Sequence, residues 1–365
     1  MVTLNPIFIR KARRVIARKA DALLGQFFSL DKTVEAMCLR PFELHLELTN
    51  LCNANCVFCP YQYQQRDTQT MSDEVFHKAV GDYAAIGGGA VGLTPVVGDA
   101  LIDPKFLDRV RYLRSLPQVD RIWLTTNAIL LDRFGVDNVL DSGVTSINIS
   151  TAGFDREMYE RVYRNGSYHR MQRNVLELVQ RNTAKGRPVS VAICLRPDRP
   201  LSEVMKHPDF QPILAHSPEL DFTWSYTNAN GRIKRDSLPA LMKIRTVSSA
   251  KNETCVQLLN GPIVLSNGEI LCCSCVASMD SAHDLGIGNI LRDDLLEAWT
   301  SERLRQIRAA FQNGKLSATC GGCDMYRDLE LYRTSEGRER ARLNLARHRG
   351  ELVRRQAAAG PFSGG

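Results

Sequence analysis

The stretch Leu51-Cys52-Asn53-Ala54-Asn55-Cys56-Val57-Phe58-Cys59-Pro60 decides how the rest of the chain is interpreted. It holds three cysteines in a C-x3-C-x2-C pattern. Three thiolates this close together can ligate three irons of a cubane 4Fe–4S cluster and leave the fourth iron without a protein ligand. An open iron is where chemistry can happen, just as an open coordination position separates catalytic from structural zinc sites. The same spacing would also fit a zinc knuckle or a redox pair with a spare thiol.

The residues before this stretch indicate where the cysteines lie in a fold. Apolar and polar residues alternate with period two over residues 42–48, which predicts a strand. The cysteines would then follow the carboxyl end of a first strand, where α/β folds place their ligands.

In this context the sequence resembles the radical S-adenosylmethionine (SAM) superfamily. Phe58, just before the third cysteine, matches an aromatic position of that family close to the SAM adenine. The resemblance implies that Cys52, Cys56 and Cys59 hold a SAM-binding 4Fe–4S cluster. It also implies reductive cleavage of SAM to methionine and a 5′-deoxyadenosyl radical, which takes a hydrogen atom from the substrate. A flavodoxin- or ferredoxin-like protein would supply the electron.

A second cysteine set lies near the other end of the chain. Its spacing is C-x17-C-x46-C-x2-C, and its members are Cys255, Cys273, Cys320 and Cys323. Asn267-Gly268, flanked by apolar residues, predicts a hairpin that leads to Cys273. A four-cysteine zinc ribbon would also fit the C-x2-C end.

The second set resembles a twitch domain, the shortened form of the SPASM domain that follows the barrel in many radical SAM enzymes. Its spacing is similar to that of the radical SAM dehydrogenase that acts on deoxy-scyllo-inosamine in the butirosin pathway. The resemblance implies that these four cysteines ligate one auxiliary 4Fe–4S cluster. No cysteine follows Cys323, so the ligands for a second auxiliary cluster are missing.

Four cysteines remain, namely Cys38, Cys194, Cys272 and Cys275. Cysteines outside metal sites are most often small buried hydrophobic residues. A radical SAM epimerase, however, needs a thiol that returns a hydrogen atom to the substrate radical, and Cys194, Cys272 or Cys275 could serve. Strand alternation places Cys194 and Arg196 on one face of a strand.

The middle of the chain predicts repeated strand–helix units. Strands are expected at 42–48, 90–97, 121–126, 146–150, 189–195 and 220–224. Helical patterns separate them, with Ser72 capping a helix to about residue 86 and Pro104 opening the next. Such alternation indicates an α/β protein with a parallel sheet and right-handed crossovers. By the resemblance, six units form a partial (β/α)6 radical SAM barrel, followed by a small α+β twitch/SPASM-like domain.

The sequence predicts four segments in the chain. Residues 1–40 form a basic helical arm, and residues 41–235 form the barrel. Residues 250–330 form the auxiliary-cluster domain, and residues 331–365 form a basic helical tail with a disordered end.

Further SAM-binding residues follow from the resemblance. The family's Gly-Gly-Glu-like turn after the second strand corresponds to Gly98 and Asp99, although only one glycine aligns and the acid is shorter by a methylene. Asn127 matches the polar residue of a Thr-x-Asn-Gly turn, with Ala128 in place of the glycine. Ser150 ends the fourth strand, where the ribose is bound. Arg196, after the fifth strand, could pair with the SAM carboxylate through its planar fork.

Three more residues are candidate substrate contacts by their placement alone. They are Tyr163, Arg164 and Tyr226.

The charge and composition of the chain limit the kinds of partner that we expect it to bind. Six basic residues and no acid lie in residues 1–20, and eight arginines against three glutamates lie in residues 333–355, so the body between them is acidic overall. Basic arms around an acidic body do not predict nucleic-acid binding. The N-terminal arm could touch an anionic membrane surface, but we favour an arm packed on the barrel. Spaced cysteines without a secretion signal predict a reducing cytoplasm.

The sequence therefore predicts a cytoplasmic radical SAM oxidoreductase or epimerase. We expect a sugar-like or cyclitol-like small molecule as its substrate. A maturase of a ribosomally made peptide and a non-catalytic zinc protein remain the alternatives, because fold and cluster type do not fix the substrate.

Overall fold

Within the residues that the structure describes, eleven strands carry the architecture of the protein in a computed structural model. The structure describes residues 15–17, 19–21, 29–94, 97–246, 250–273 and 282–358. The strands are β1 (Glu43–Leu46), β2 (Gly89–Gly92), β3 (Val119–Thr126), β4 (Ser146–Thr151), β5 (Ser190–Leu195), β6 (Glu219–Phe222), β7 (Ser225–Tyr226), β8 (Lys243–Ile244), β9 (Ile263–Val264), β10 (Glu269–Leu271) and β11 (Gly286–Asn289).

One sheet of nine strands runs through both halves of the chain, in the order β11-β10-β9-β1-β2-β3-β4-β5-β6. Strands β1 to β6 pair in parallel, in sequence order, which confirms the six predicted strand–helix units and the α/β class. Strand β9 pairs in parallel with the free edge of β1, and β10 pairs antiparallel with both β9 and β11. The C-terminal strands therefore extend the barrel sheet, which the sequence did not predict.

Helices connect and cover the strands. They are α1 (Leu30–Cys38), α2 (Asp73–Ala85), α3 (Phe106–Ser115), α4 (Leu131–Phe134), α5 (Val136–Leu140), α6 (Arg156–Tyr163), α7 (Tyr168–Ala184), α8 (Leu201–Val204), α9 (Gln211–Leu214), α10 (Gln257–Asn260), α11 (Ala282–Leu285), α12 (Leu295–Thr300), α13 (Glu302–Ala309), α14 (Ala318–Gly322), α15 (Glu330–Arg333) and α16 (Ser335–Ala358). None of the helices in the described ranges has the length and apolarity to cross a membrane.

The helix boundaries follow local capping chemistry. Helix α2 begins after Ser72, whose side chain accepts a hydrogen bond from the Val75 amide, as predicted. Helix α3 begins at Phe106, two residues after Pro104. The prediction that Pro104 opens this helix was wrong, because the Asp103 carboxylate accepts from the Lys105 amide at 3.0 Å and keeps this segment in a turn.

Successive residues of each strand lie on opposite faces of the sheet. In β5, Val191, Ile193 and Leu195 are buried in the core shared with the helices. Cys194 is half-buried on the other face, and Arg196 follows with the same parity just after the strand. The shared face of Cys194 and Arg196 is thus as predicted.

The two termini meet at the end of the sheet opposite the cysteine loop. Asn344 of α16 donates to the carbonyls of Ala36 and Arg40 at 2.9 Å, and Arg40 donates back to the Asn344 side chain. The described arm is helical at 15–17, 19–21 and in α1. The remaining arm residues and the tail end from 359 lie outside the described residues.

Candidate functional site

Helix α6 packs against the cysteine loop that follows β1 and holds it in place. The amides of Asn55 and Val57 donate to the carbonyls of Tyr163 and Val162, at 3.2 and 2.9 Å. Those carbonyls belong to the last turn of α6 and lack partners inside the helix. The loop thus completes the helix end, which holds the loop in one shape.

The three thiols of this loop lie within electrostatic range of one another. Burial raises the pKa of Cys52 to about 12, with Asp99 adding to the shift. Burial, then Cys59 and Cys52, raise the pKa of Cys56 well above its ordinary value, and burial also raises the pKa of Cys59. Thiols in such surroundings keep their protons until a metal displaces them.

Two buried hydrogen-bond donors near this loop lack acceptors, as expected where a bound group would supply them. The Tyr159 hydroxyl and the Asn53 Nδ2 are buried and have no partner among the described residues. Leaving a buried donor unpaired costs about 1–3 kcal/mol. A cluster with its sulfides and thiolates would bring acceptors to this region. Cys52, Cys56 and Cys59 would hold it, as predicted from the sequence.

Gly98 brings the turn after β2 against the entrance of the cysteine loop. Its φ is +92°, and an added Cβ would lie 2.4 Å from the Thr49 carbonyl oxygen and 2.9 Å from that of Leu51. The Asp99 amide donates to the same Leu51 oxygen at 2.9 Å. Only glycine suits this backbone conformation and this close approach.

The buried Asp99 carboxylate joins the turns after β2 and β3. It accepts hydrogen bonds from the amides of Leu101 and Asn127 at 3.0 and 2.9 Å, and from the Thr126 hydroxyl at 2.8 Å. Burial raises the pKa of Asp99 in spite of these donors. Asp99 is therefore well placed beside the loop, and its contact with the methionyl amine of SAM stays a prediction.

Asn127 reaches the cysteine loop directly. Its Nδ2 donates to the Asn53 Oδ1 at 2.6 Å, and its Oδ1 accepts from the Ile129 amide at 3.0 Å. Ala128, where the family has glycine, adopts a φ of +64°. This left-handed conformation is open to glycine at no steric cost, but the Cβ of Ala128 disfavours it by about 1–2 kcal/mol.

Phe58, Ser150 and Arg196 converge on one spot at the carboxyl end of the sheet. The Arg196 Nε donates to the Ser150 Oγ at 2.9 Å, and its guanidinium carbon lies 5.1 Å from the Phe58 ring centroid. The Phe58 ring stacks on Tyr226 at 4.8 Å and meets Tyr163 edge-on at 5.7 Å. The structure thus brings together three predicted SAM contacts and two candidate substrate contacts.

Burial and neighbouring ionisable side chains shift the pKa of Arg196 in opposite directions. Burial lowers its pKa, but Tyr163, Tyr226, Cys194 and Cys56 together raise it above the ordinary value. Arg196 is therefore a permanent cation beside the cysteine loop, suited to a carboxylate ligand. Arg164, the remaining candidate, is exposed and donates to the half-buried Gln62 side chain at 3.3 Å.

The four C-terminal cysteines line a single pocket. The other residues of its wall are mostly apolar, and the cysteines are Cys255, Cys273, Cys320 and Cys323. Burial raises the pKa of Cys255 to about 12 and that of Cys320 to about 11. No three His, Cys, Asp or Glu side chains in the described ranges form a site for a single ion. The four predicted auxiliary ligands nevertheless line the same pocket.

The candidate hydrogen-donor cysteines lie in different surroundings. Cys194 is half-buried on the face of the sheet that carries Arg196. Cys272 has no exposed surface and lies in the core of the C-terminal strands. Cys275 lies outside the described residues, so its role stays a prediction, as do those of the other two.

Sequence reasoning missed a buried ion pair next to the site. Arg66, in the segment after the cysteines, binds both carboxylate oxygens of Glu47 at 2.9 and 2.7 Å. Ser266 of the C-terminal hairpin donates to the same carboxylate through its amide and hydroxyl. Glu47 was predicted within a strand, and a charged residue at a buried strand end was the available signal.

Comparison with known proteins gives two matching families. The radical SAM superfamily model matches residues 46–210. The model of an iron–sulfur cluster-binding domain, SPASM, matches residues 255–324. The two matches cover the two cysteine sets in the order expected from the sequence.

Two solved structures have a similar fold. BtrN in complex with AdoMet and 2-DOIA is 16% identical with a TM-score of 0.52, and the match covers 78% of this chain and 92% of BtrN. SuiB of Streptococcus suis bound to its precursor peptide SuiA is 14% identical with a TM-score of 0.55, covering 88% of this chain and 75% of SuiB.

Curated relatives match over shorter stretches. GTP 3′,8-cyclase of Chlorobaculum tepidum is 25% identical over 130 residues, which are 36% of this chain and 38% of the relative. Molybdenum cofactor biosynthesis protein moc-5 of Caenorhabditis elegans is 28% identical over 177 residues, 47% of this chain and 28% of the relative. The chain thus spans well under half the length of these relatives.

The matches, the converging SAM contacts and the pocket of four cysteines agree on the cofactors, which are SAM and 4Fe–4S clusters. The zinc alternative for the two cysteine sets is set aside, because both families bind iron–sulfur clusters. The chain belongs to the radical SAM superfamily, in the branch whose barrel is followed by a SPASM domain.

Proposed function

We propose that the protein is a radical SAM dehydrogenase that oxidises an alcohol carbon of a sugar-like or cyclitol-like small molecule. One observation carries the proposal: four cysteines line the C-terminal pocket, so every iron of an auxiliary cubane can have a protein ligand. A fully ligated cluster has no open iron for a substrate and is suited to electron transfer. An electron acceptor favours oxidation over hydrogen return.

The chain's own residues position the reactants. When bound, SAM supplies the species that removes one hydrogen atom from the substrate, and the auxiliary cluster supplies an acceptor for the electron that remains after the substrate radical has lost a proton. Phe58 and Arg196 would hold SAM by stacking and charge, with Ser150 fixing the guanidinium. The continuous sheet from β9 to β1 fixes the auxiliary pocket relative to the barrel.

Polar residues on the inner face of β4 support a polar substrate. Asn148 and Ser150 are half-buried and alternate with the buried Ile147 and Ile149. Hydroxyl and amide groups on one face suit a substrate with several hydroxyl groups. BtrN, which is similar in fold over 92% of its length, was crystallised with 2-DOIA.

Two other outcomes have some support. Cys194, on the inner face of β5, could return a hydrogen atom, which would make the enzyme an epimerase. The fold similarity to SuiB, crystallised with its precursor peptide, supports a peptide maturase. The three functions differ in their products and can be separated by mass.

The experiment begins with anaerobic reconstitution, which should give about eight irons per chain for two cubanes. The protein is then incubated with SAM, dithionite and a panel of aminocyclitols, sugars and peptides. We expect 5′-deoxyadenosine together with a small-molecule product about two mass units lighter, as loss of two hydrogens requires. Uptake of one solvent deuterium without loss of mass would indicate epimerisation, and a modified peptide would indicate a maturase.

Two cysteine variants test the electron-acceptor role. Cys52→Ala should abolish SAM cleavage, because it removes a ligand of the SAM-binding cluster. Cys320→Ala should still cleave SAM but should not turn over. Full product formation by Cys320→Ala would overturn the dehydrogenase proposal while leaving the family assignment intact.

A further inference from the structure

Helix α6 is built against the cysteine loop. Its first turn is capped by Asp155, which accepts from the Met158 amide at 2.7 Å. Its last turn accepts hydrogen bonds from the loop amides of Asn55 and Val57. Both ends of the helix are therefore fixed, and side chains on its loop-facing side have little freedom to move away.

Tyr159 lies on this side of α6 with no exposed surface. Its ring stacks on Tyr163 at 5.1 Å with an interplanar angle of 9°, and a tilted contact to Tyr168 follows at 5.8 Å. Its hydroxyl is buried and has no hydrogen-bond partner among the described residues. The ring is thus held in place while its donor is unused.

The two neighbouring tyrosines use their hydroxyls within the protein. Tyr163 shares a hydrogen bond of 2.8 Å with Ser150. Tyr168 donates to the Phe154 carbonyl and to Asp209, both at 2.7 Å. Tyr159 is the member of this aromatic group whose hydroxyl has no hydrogen-bond partner among the described residues.

The groups around Tyr159 indicate what that acceptor is. The cysteine loop lies against the helix that carries Tyr159, because the Asn55 and Val57 amides, on either side of Cys56, donate to the last-turn carbonyls of this helix. Cys56, Cys52 and Asp99 are close enough to add to the burial that raises the pKa of Tyr159. The Asp99 oxygens already accept from three donors. Of these three groups the two cysteines remain, and the sulfurs of a bound cluster accept hydrogen bonds.

We propose that the Tyr159 hydroxyl donates a hydrogen bond to a sulfur of the SAM-binding cluster, on its Cys52 and Cys56 side, and raises the cluster's reduction potential. A hydrogen bond to an anionic acceptor strengthens as negative charge increases. It therefore stabilises the reduced cluster more than the oxidised one. The inference rests on the cluster assigned by family, and Tyr159 acts as a tuning residue that touches no substrate.

The test is an EPR-monitored redox titration of Tyr159→Phe, which removes only the hydroxyl. Cys320→Ala/Cys323→Ala serves as the background, so that the SAM-binding cluster is the one observed. We expect the equilibrium constant for one-electron reduction to fall about tenfold, which corresponds to about 59 mV. The matched control Tyr168→Phe loses a paired hydroxyl of the same aromatic group and should leave the potential unchanged.

Two further measurements keep the inference testable if the variant binds its cluster poorly. The cluster-free Tyr159→Phe protein should unfold at the same or a higher temperature than the parent, because an unpaired buried hydroxyl is removed. In the unmutated protein, hyperfine spectroscopy should detect an exchangeable proton coupled to the SAM-binding cluster. Absence of that coupling, or an unchanged potential in an iron-replete Tyr159→Phe protein, would overturn the inference, whatever the substrate proves to be.

Discussion

The guanidinium of Arg196 lies over the ring of Phe58, 5.1 Å from its centroid. One residue follows β5 and the other precedes the third cysteine of the loop after β1, and three strands of the sheet lie between β1 and β5. The contact joins the residue expected to bind the SAM carboxylate to the residue expected to face the adenine. A cation over an aromatic face is attracted by the ring's electron density.

Arg196→Lys should weaken SAM binding about tenfold to a hundredfold. Lysine keeps the charge but loses the planar fork and the bond to Ser150, and a hydrogen bond to a charged group contributes about 1.5–3 kcal/mol. The dissociation constant of SAM for the reconstituted protein measures the effect. Arg199→Lys is the control, because Arg199 pairs with Asp155 at 3.0 Å away from the loop. Equal SAM affinities in both variants would show that Arg196 does not contact SAM.

Gly98→Ala should prevent assembly of the SAM-binding cluster. The new Cβ would lie 2.4 Å from the Thr49 oxygen, so the turn or the start of the cysteine loop must shift. The positive φ adds about 1–2 kcal/mol of strain. Gly186→Ala is a matched control, since Gly186 has a φ of +76° but open space around it. Iron content after reconstitution should fall in Gly98→Ala alone, and equal losses in both variants would point to backbone strain.

Arg66→Leu should destabilise the protein by about 3–5 kcal/mol, because it leaves the buried Glu47 carboxylate without its counter-charge. The double variant Glu47→Gln/Arg66→Gln should recover much of this loss, since no charge is then buried alone. Urea unfolding of the cluster-free protein gives the free energies. Arg156→Leu, which removes a solvent-exposed ion pair with Glu160, should cost about 1 kcal/mol or less. Comparable losses at Arg66 and Arg156 would contradict a buried coupling between barrel and hairpin.

Acid should weaken the attachment of α15 to the auxiliary domain. Hydrogen bonding from Arg333 lowers the pKa of Glu253 below its ordinary 4.5. The folded state therefore favours the carboxylate, so the stabilisation is complete above pH 4.5 and is lost as the pH falls through the lowered value. Glu253→Gln should cost about 1 kcal/mol near neutral pH and less in acid. Thermal unfolding of the cluster-free protein across this range measures the difference, and a cost independent of pH would exclude the ion pair as its cause.

The sequence predicted the local features well, because short-range physics sets them. Period-two alternation located β1, an apolar run located β2, the strand–helix pattern located β3 to β6, and the Ser72 cap located the start of α2. The start of α3 was misplaced by two residues, because the Asp103 side chain competes for the local amides. Turn chemistry also located the hairpin at Gly268, whose φ is +87°.

The two cysteine sets and the residues around them predicted the family and the cofactors of this protein, which the two family matches confirm. Their spacing is covalent, so it is fixed before the chain folds, and metal chemistry restricts what such a spacing can bind. The tertiary structure decided what lies next to them. The pairing of β9 with β1, the buried Glu47–Arg66 pair and the unused hydroxyl of Tyr159 all join segments far apart in the chain. Such contacts depend on packing and on desolvation, which no local pattern records.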